Sequence, residues 1–430
     1  MTLLAGLLSL IAATAPAKAA PVALAPTPIA CPANLEPTTR CLSGRDARGA
    51  WYVTALPANW NHRLIVHAHG GPRLGAPEAK DPLEDLERFA VMVRAGYAWT
   101  ASTYRRGGYG VRMAAEDADA TRQLFWAQHG RPERTILHGQ SWGGNVAAKA
   151  AELYAFDTDD TPNYDGVLLT NGVLTGGTGA YGFRADLRVV YQYYCRNHPA
   201  AGEPTYPLWQ GLPRDSALTR AQLRERVEAC TGLNLPAAQR SAQQAGRLRD
   251  ILGVIPIRED QLIAHLAWAT FTFQDMVQLR LGGHNPFANT ATVYRGSADD
   301  VALNAGVERF AAEPQAVARL AYDADLSGLI ALPTLSLHGL HDPTVPFAAE
   351  AAYARTVAAA GRSRLLVQAA TDEDNHSKLA EAEYLTVLEA LSGWIDTGRR
   401  PDPAGFQKAC QAQPKGGEAC RFVSASPQVR

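Results

Sequence analysis

Short apolar runs rich in β-branched residues alternate with helical stretches along most of this chain of 430 residues. Such alternation predicts a mostly parallel β-sheet with helices on both faces, the α/β fold class. The predicted strands are Arg63–Ala68, Tyr97–Thr103, Thr135–His138, Gly166–Thr170, Leu335–His338 and Arg364–Ala369. The predicted helices are Asp81–Ala95, Glu116–His129, Asn145–Tyr154, Ala348–Ala360 and Leu379–Ile395.

The alternation is interrupted between the fourth and fifth predicted strands. Residues 172–331 have helical patterns and no strand rhythm, and so long a segment is not a structureless loop in a compact domain. We therefore expect a large, mainly helical cap inserted into a core formed by residues 50–171 and 332–397. Residues 20–49 are interpreted as an N-terminal leader and residues 398–430 as a C-terminal surface extension.

The first residues have the features of an export signal. An apolar run, Leu3–Ala13, is followed by Ala17-Lys18-Ala19, which resembles a signal-peptidase cleavage site. The run is too short to cross a bilayer as a helix. We expect residues 1–19 to be a signal peptide, and the mature protein to be secreted or periplasmic with no membrane span.

The six cysteines support export. They fall into three sequence-local couples, which predicts the disulfides Cys31–Cys41, Cys195–Cys230 and Cys410–Cys420, although six cysteines allow 15 pairings. An even cysteine count agrees with an oxidising compartment. None of the cysteines lies in a C-x-x-C motif, so the sequence implies no metal site.

The charge balance excludes other function classes. There are 41 basic and 42 acidic residues, so the net charge is −1. This balance gives no electrostatic basis for binding nucleic acid or an anionic membrane surface. The expected partner is a small-molecule ester or a short peptide substrate, no cofactor is implied, and the oligomeric state is left open.

The candidate nucleophile, Ser141, lies in the string Gly139-Gln140-Ser141-Trp142-Gly143-Gly144. It follows the predicted strand TILH and opens a helix, which is the strand–turn–helix context of a nucleophile elbow. A sharp turn of this kind leaves no room for side chains beside the nucleophile, hence its glycines. The motif predicts that the Ser141 hydroxyl projects at the carboxyl end of the sheet.

At this point the sequence resembles the α/β-hydrolase fold family, in which nucleophile, acid and base follow in chain order. The resemblance implies a base near the C-terminus, and of 11 histidines only His376 follows Asp342. Asp342 lies in HGLHDPTVP, directly after the predicted strand LSLH, and is the candidate acid. The expected catalytic triad is Ser141, Asp342 and His376.

The string His69-Gly70-Gly71-Pro72 follows the first predicted strand and resembles the family's oxyanion loop. The resemblance implies oxyanion donors at the backbone N–H of Trp142 and at Gly71, with Gly70 second. Together with G-x-S-W-G, this loop is similar to the proline iminopeptidase and prolyl oligopeptidase branch. The sequence departs from the pattern of that branch at two places, which are Arg73-Leu74-Gly75 after the loop and the DNHSK string around the base.

Four residues are candidates for substrate binding. Arg105 and Arg106 follow the second predicted strand and so lie at the carboxyl edge of the sheet, where ligands bind in open α/β sheets. Tyr181 and Arg184 belong to an aromatic group at one end of the cap. An amine substrate would instead need acidic groups facing the site, for which the candidates are Glu203, Asp275 and Glu308.

Three functions remain open on these residues. The favoured hypothesis is an exported serine hydrolase of carboxylic esters that forms an acyl-enzyme. The alternatives are an exported serine aminopeptidase or oligopeptidase of the same fold, and an inactive hydrolase fold used as a binding module. Ester and amide hydrolysis use the same catalytic parts, so the triad alone does not separate them.

Overall fold

The residues that the structure describes form a ten-stranded sheet. The computed structural model describes residues 23–413 and 419–424, and the predicted signal peptide, residues 1–19, lies outside this range. The strands are β1 (Leu24–Ile29), β2 (Arg40–Arg45), β3 (Trp51–Leu56), β4 (Arg63–Ala68), β5 (Ala98–Ser102), β6 (Arg134–Gln140), β7 (Gly166–Thr170), β8 (Thr334–Gly339), β9 (Leu366–Thr371) and β10 (Phe422–Val423).

The sheet is mixed and mostly parallel. Its order is β1-β2-β3-β5-β4-β6-β7-β8-β9-β10. The six strands from β5 to β9 in this order are parallel, while β1, β2 and β3 at one edge and β10 at the other pair antiparallel. The carboxyl ends of the parallel strands therefore lie at one edge, where the loops that follow them meet.

Helices cover both faces of the sheet, which explains the apolar character of its strands. The first four helices are α1 (Asp81–Arg88), α2 (Ala90–Arg94), α3 (Val111–His129) and α4 (Trp142–Tyr154). Leu64 and Val66 of β4 point into a core shared with α3 and α4, and Ile65 points into a second core shared with α1, α2 and the late helix Glu381–Thr397. The predicted doubly covered α/β sheet is confirmed.

The segment between β7 and β8 is a mainly helical cap. Its helices are α5 (Gly176–Ala180), α6 (Gly182–Cys195), α7 (Arg220–Thr231), α8 (Ala242–Val254), α9 (Leu262–Ala267), α10 (Asp300–Gly306) and α11 (Pro314–Ala324). Two π-helical segments, Trp268–Thr272 and Asp275–Arg280, continue the chain after α9. The disulfide Cys195–Cys230 joins α6 to α7.

Asp323, in the last turn of α11, fastens the cap to the core. Helix α3 begins after Gly110, which has no side chain to satisfy the first N–H groups of the helix. The Asp323 carboxylate accepts hydrogen bonds from the N–H groups of Val111 (2.9 Å) and Arg112 (3.2 Å) instead. A residue of the cap thus provides the N-terminal cap of a core helix.

The N-terminal segment differs from its interpretation as a leader. Strands β1 and β2 extend the sheet at one edge, and the disulfide Cys31–Cys41 closes the loop between them. Pro26 and Pro28 interrupt the strand pattern of β1, but an edge strand tolerates residues that cannot donate a backbone hydrogen bond. Strand β3 was not among the predicted strands either.

The C-terminal segment contacts the core through a strand. The last helices are α12 (Ala348–Ala359), α13 (Glu381–Thr397) and α14 (Phe406–Gln411). After α14, the disulfide Cys410–Cys420 leads into β10, which pairs with β9. Phe406 is buried against Phe422, so part of this segment belongs to the core and not to the surface.

We predict that removing the cap disulfide destabilises the protein more than removing the N-terminal one. Loop entropy gives about 4 kcal/mol for the 35-residue separation of Cys195 and Cys230, and about 3 kcal/mol for the 10-residue separation of Cys31 and Cys41. Urea denaturation of the two double Cys→Ala variants measures both losses in free energy of unfolding. An equal or larger loss for the short loop would contradict this order.

Candidate active site

Ser141 lies at a sharp turn between β6 and α4. Its backbone has φ 59° and ψ −125°, a region that residues with a side chain rarely adopt. The turn is secured from both sides, because Ser141 N–H donates to Thr170 O (3.0 Å) and Val173 N–H donates to Ser141 O (3.0 Å). The serine hydroxyl is thereby held at the carboxyl edge of the sheet.

The glycines on either side of Ser141 permit this close packing. A Cβ atom at Gly143 would lie 2.0 Å from Ala68 O on the neighbouring strand β4. A Cβ atom at Gly139 would lie 2.1 Å from Gly143 O. Both contacts are with backbone atoms, which cannot rotate away, so the turn requires glycine at both positions.

Two loops bring Asp342 and His376 to the serine. His376, after β9, has its Nε2 2.8 Å from Ser141 Oγ and its Nδ1 2.7 Å from Asp342 Oδ2. Because ionised Asp342 only accepts, Nδ1 carries the proton and Nε2 is free to accept from the serine hydroxyl. The structure therefore brings together the three residues that the resemblance implied.

Asp342 is buried and its other oxygen is also occupied. Asp342 Oδ1 accepts hydrogen bonds from the N–H groups of Thr344 (2.8 Å) and Val345 (3.0 Å). Burial raises the pKa of the Asp342 carboxyl, but the hydrogen bond and charge of His376 outweigh it, so the pKa lies below its ordinary value. The carboxylate thus stays ionised at neutral pH.

A buried ion pair supports the loop that carries Asp342. His338, at the end of β8, donates from Nε2 to Val345 O (2.9 Å), and its Nδ1 lies 3.1 Å from Glu350 Oε1. Burial lowers the pKa of His338, but the hydrogen bond and charge of Glu350 outweigh it and raise the pKa above its ordinary value. His338 therefore shapes this loop.

The expected oxyanion donors lie beside Ser141. A Cβ atom at Gly70 would be 3.3 Å from Ser141 Cβ, so the loop after β4 passes directly over the nucleophile. Gly71 has φ +69° and faces open space. Within residues 23–413, the N–H groups of Gly71 and Trp142 donate to no other residue. Both are thus available to a bound oxygen.

Ser141 and His376 open into a cavity of about 370 Å³ between the core and the cap. Tyr181 and Arg184, two of the four candidates for substrate binding, line this cavity. The full lining is Gly70, Gly71, Pro72, Arg73, Asp85, Arg88, Gln140, Ser141, Trp142, Val173, Tyr181, Arg184, Trp268, Thr344, Val345, His376, Ser377 and Lys378.

Arg105 and Arg106 do not line this cavity, which corrects their assignment to substrate binding. The Arg105 guanidinium and backbone N–H both bind the buried Asp117 carboxylate, with Nε 2.8 Å from Oδ1. Arg106 lines a different cavity, beside Tyr109 and Asp323. The buried Asp117 carboxylate thus holds Arg105 outside the site.

The three acidic residues considered for an amine substrate also lie elsewhere. Glu203 pairs with Arg226, Asp275 pairs with Arg280, and Glu308 accepts from the backbone N–H of Leu208. Among the described residues that line the cavity, Asp85 is the one carboxylate. Burial raises the pKa of Asp85 to about 6, and Arg73 Nη2 lies 3.4 Å from it.

Several lining residues were missed by sequence reasoning. Three of them lie in or beside the recognised motifs, and this position is the sequence signal that could have identified them. They are Arg73 after HGGP, Gln140 in GQSWGG and Lys378 two residues after His376. Gln140 Nε2 donates to Ser377 Oγ and so links the nucleophile turn to the base loop. Trp268 lies in the first π-helical segment, which no sequence pattern indicated.

The strand topology and the site together define the fold class. Six parallel strands, a serine at a strand–turn–helix elbow, an acid after β8 and a base after β9 follow one another in the order of α/β hydrolases. The chain has the α/β-hydrolase fold with a helical cap, as the resemblance implied.

Comparison with known proteins gave structural matches only. No family model matches the sequence, and no curated protein matches it. An esterase from Aspergillus oryzae is 15% identical over 87% of this chain and 85% of its own, with a TM-score of 0.46. Feruloyl esterase B from Aspergillus oryzae is 13% identical over 89% and 88%, with a TM-score of 0.46. A puromycin hydrolase is 13% identical over 88% and 41%, with a TM-score of 0.40.

We predict that Gly143→Ala disrupts the site through the backbone. The added methyl group overlaps Ala68 O, so we expect a loss of at least about 1–3 kcal/mol in free energy of unfolding. Gly393→Ala is the matched control, because Gly393 is exposed within α13 with nothing near its Cβ position. The free energy of unfolding of this control should rise by about 0.5–1 kcal/mol. Chemical denaturation of both variants tests the contrast, which equal stabilities would refute.

Proposed function

We propose that the protein is an exported serine hydrolase that cleaves carboxylic esters through an acyl-enzyme. The observation that carries this proposal is the hydrogen-bonded chain from Ser141 Oγ to His376 (2.8 Å) and from His376 to Asp342 (2.7 Å). Serine is a weak nucleophile until a neighbouring base accepts its proton. A serine at a strained turn, a histidine in the required tautomer and a buried carboxylate meet that need.

The first half of the proposed reaction forms the acyl-enzyme. Ser141 Oγ attacks the ester carbonyl carbon while its proton passes to His376 Nε2. Asp342 stabilises the imidazolium that results. The carbonyl oxygen becomes an oxyanion that accepts hydrogen bonds from the N–H groups of Trp142 and Gly71. As the tetrahedral intermediate collapses, the bond to the alkoxy oxygen breaks and His376 protonates the departing alcohol.

The second half regenerates the enzyme. Water attacks the acyl carbon and gives its proton to His376 Nε2. The second tetrahedral intermediate uses the same oxyanion donors, and its collapse breaks the bond to Ser141 Oγ. The proton on His376 returns to the serine, and a carboxylic acid leaves.

The charges of the cavity favour an ester over an aminopeptidase substrate. A free α-amino group is a cation and needs a carboxylate partner in the site. The lining instead has Arg73, Arg88, Arg184 and Lys378 against the single carboxylate of Asp85. An oligopeptidase that binds no free amine stays the second candidate, because HGGP and G-x-S-W-G are similar to that branch.

Export is supported by the cysteines. The described part of the chain contains three disulfides and no free cysteine. Disulfides persist in oxidising compartments. No described helix is long and apolar enough to span a bilayer. Together with the apolar run at residues 3–13, the disulfides support secretion or a periplasmic location.

The test is hydrolysis of p-nitrophenyl acyl esters and aminoacyl p-nitroanilides by the wild-type protein and by Ser141→Ala. We expect Ser141-dependent ester turnover and a loss on the order of a millionfold in the variant. Ser363→Ala, at an exposed serine that does not line the cavity, is the control and should keep full activity. Anilide turnover that depends on Ser141 would favour the peptidase alternative.

Labelling by a fluorophosphonate separates an enzyme from an inactive binding module. An activated serine reacts with the probe, so we expect labelling of wild-type protein and none of Ser141→Ala. A folded wild-type protein that is not labelled would overturn the proposed mechanism.

A further inference from the structure

Arg184 is a buried cation in the cavity that contains Ser141. It lies in the first turn of α6, in the cap, and only 6% of its surface is exposed. Its Nε donates to His265 Nδ1 (3.2 Å) and its Nη2 donates to Thr344 O (3.3 Å). The cap thus places a guanidinium over the catalytic residues of the core.

The part of the chain that the structure describes supplies no counter-charge to this guanidinium. Across residues 23–413 and 419–424, Arg184 forms no salt bridge with a carboxylate, and its Nη1 has no acceptor. His265 is neutral, because burial lowers its pKa to about 4, and its Nε2 donates to Pro343 O (2.9 Å). Burial lowers the pKa of Arg184 to about 10, so the side chain remains charged at neutral pH.

Aromatic rings hold the guanidinium in place. Its central carbon lies 4.6 Å from the ring centre of Phe183, 4.8 Å from that of Trp268 and 5.7 Å from that of Tyr181. Cation–π contacts offset part of the cost of removing the charge from water. They do not replace a partner, because a buried charge without an ion pair is strongly unfavourable.

The entrance of the cavity is positive as well. Arg88 and Lys378 line it and are exposed, and neither forms an ion pair with a described residue. The carboxylate of Asp85 lies close to Arg73 and does not reach Arg184. Like charges around a cleft raise the local concentration of oppositely charged solutes and their rate of binding.

From this arrangement we infer that the substrates are esters that carry a carboxylate group, which Arg184 binds. The inference rests on the proposed esterase function and names its substrate class. A guanidinium presents its N–H groups as a planar fork that matches a carboxylate, and the stacked rings pre-organise this fork. The carboxylate can belong to the acyl half or to the alcohol half of the ester.

The test compares two pairs of esters by pH-stat titration. Monophenyl glutarate and phenyl pentanoate differ by a carboxylate on the acyl half. 4-(Butanoyloxy)benzoate and phenyl butanoate differ by a carboxylate on the alcohol half. For one pair we expect kcat/KM of the anionic ester to exceed that of its neutral partner by about 10- to 100-fold, the usual strength of a charge-assisted hydrogen bond. The pair that shows the preference identifies whether the acyl half or the alcohol half of the ester carries the carboxylate.

Variants assign the preference to Arg184. In Arg184→Met the ratio of anionic to neutral kcat/KM should lose most of its value, and Arg184→Lys should keep more of it, since lysine has the charge without the fork. Arg224→Met, at an exposed arginine of α7 outside the cavity, is the matched control and should keep the wild-type ratio. An unchanged ratio in Arg184→Met would overturn the inference.

The wild-type protein also tests the inference without any variant. Glutarate should inhibit hydrolysis of phenyl butanoate competitively, and added salt should lower kcat/KM for the preferred anionic ester only. Ser141-dependent hydrolysis of the neutral esters without any anionic preference would overturn the inference and leave the proposed function standing. If none of the four esters is hydrolysed and the fluorophosphonate does not label the protein, both the inference and the proposed function are overturned.

Discussion

The close approach of α4 to strand β4 is the contact on which the site depends. At Gly143 the helix backbone comes so near to Ala68 O that no side chain fits, and the turn at Ser141 leads directly into this contact. Because the proposed oxyanion loop starts where β4 ends, the same contact brings that loop close to Ser141. Gly139 and Gly143 thus permit the packing that places Ser141 beside the loop after β4.

The site combines two parts of the chain with different tasks. The core supplies the serine, the acid and the base, and surrounds each with hydrogen bonds that define one geometry, such as the pairing of both Asp342 oxygens. The cap supplies Arg184, which has no ionic partner among the described residues. Under the proposed function, the catalytic residues belong to the part shared by the fold, and the residue inferred to bind the substrate's carboxylate belongs to the inserted part.

Much of the core could be predicted from sequence because its signals are local. Buried parallel strands are continuous apolar runs, and the order of nucleophile, acid and base left one histidine for the last place. The sequence did not indicate which of Arg105 and Arg184 lines the site. Both are arginines next to aromatic residues, and only the distant Asp117, which binds Arg105, distinguishes them. The edge strand β1, with its two prolines, was missed because its pairing with β2 is not visible in its own composition.

The C-terminal segment has a consequence for what a shortened chain would keep. Arg421 pairs with Glu373, whose Oε1 accepts from the N–H groups of Asp374 and Asn375, just before His376. The loop that carries the proposed base is therefore braced by a residue that follows it in the chain, next to the disulfide Cys410–Cys420. A chain that ended before this disulfide would contain every proposed catalytic residue and lack the brace of the loop that carries His376.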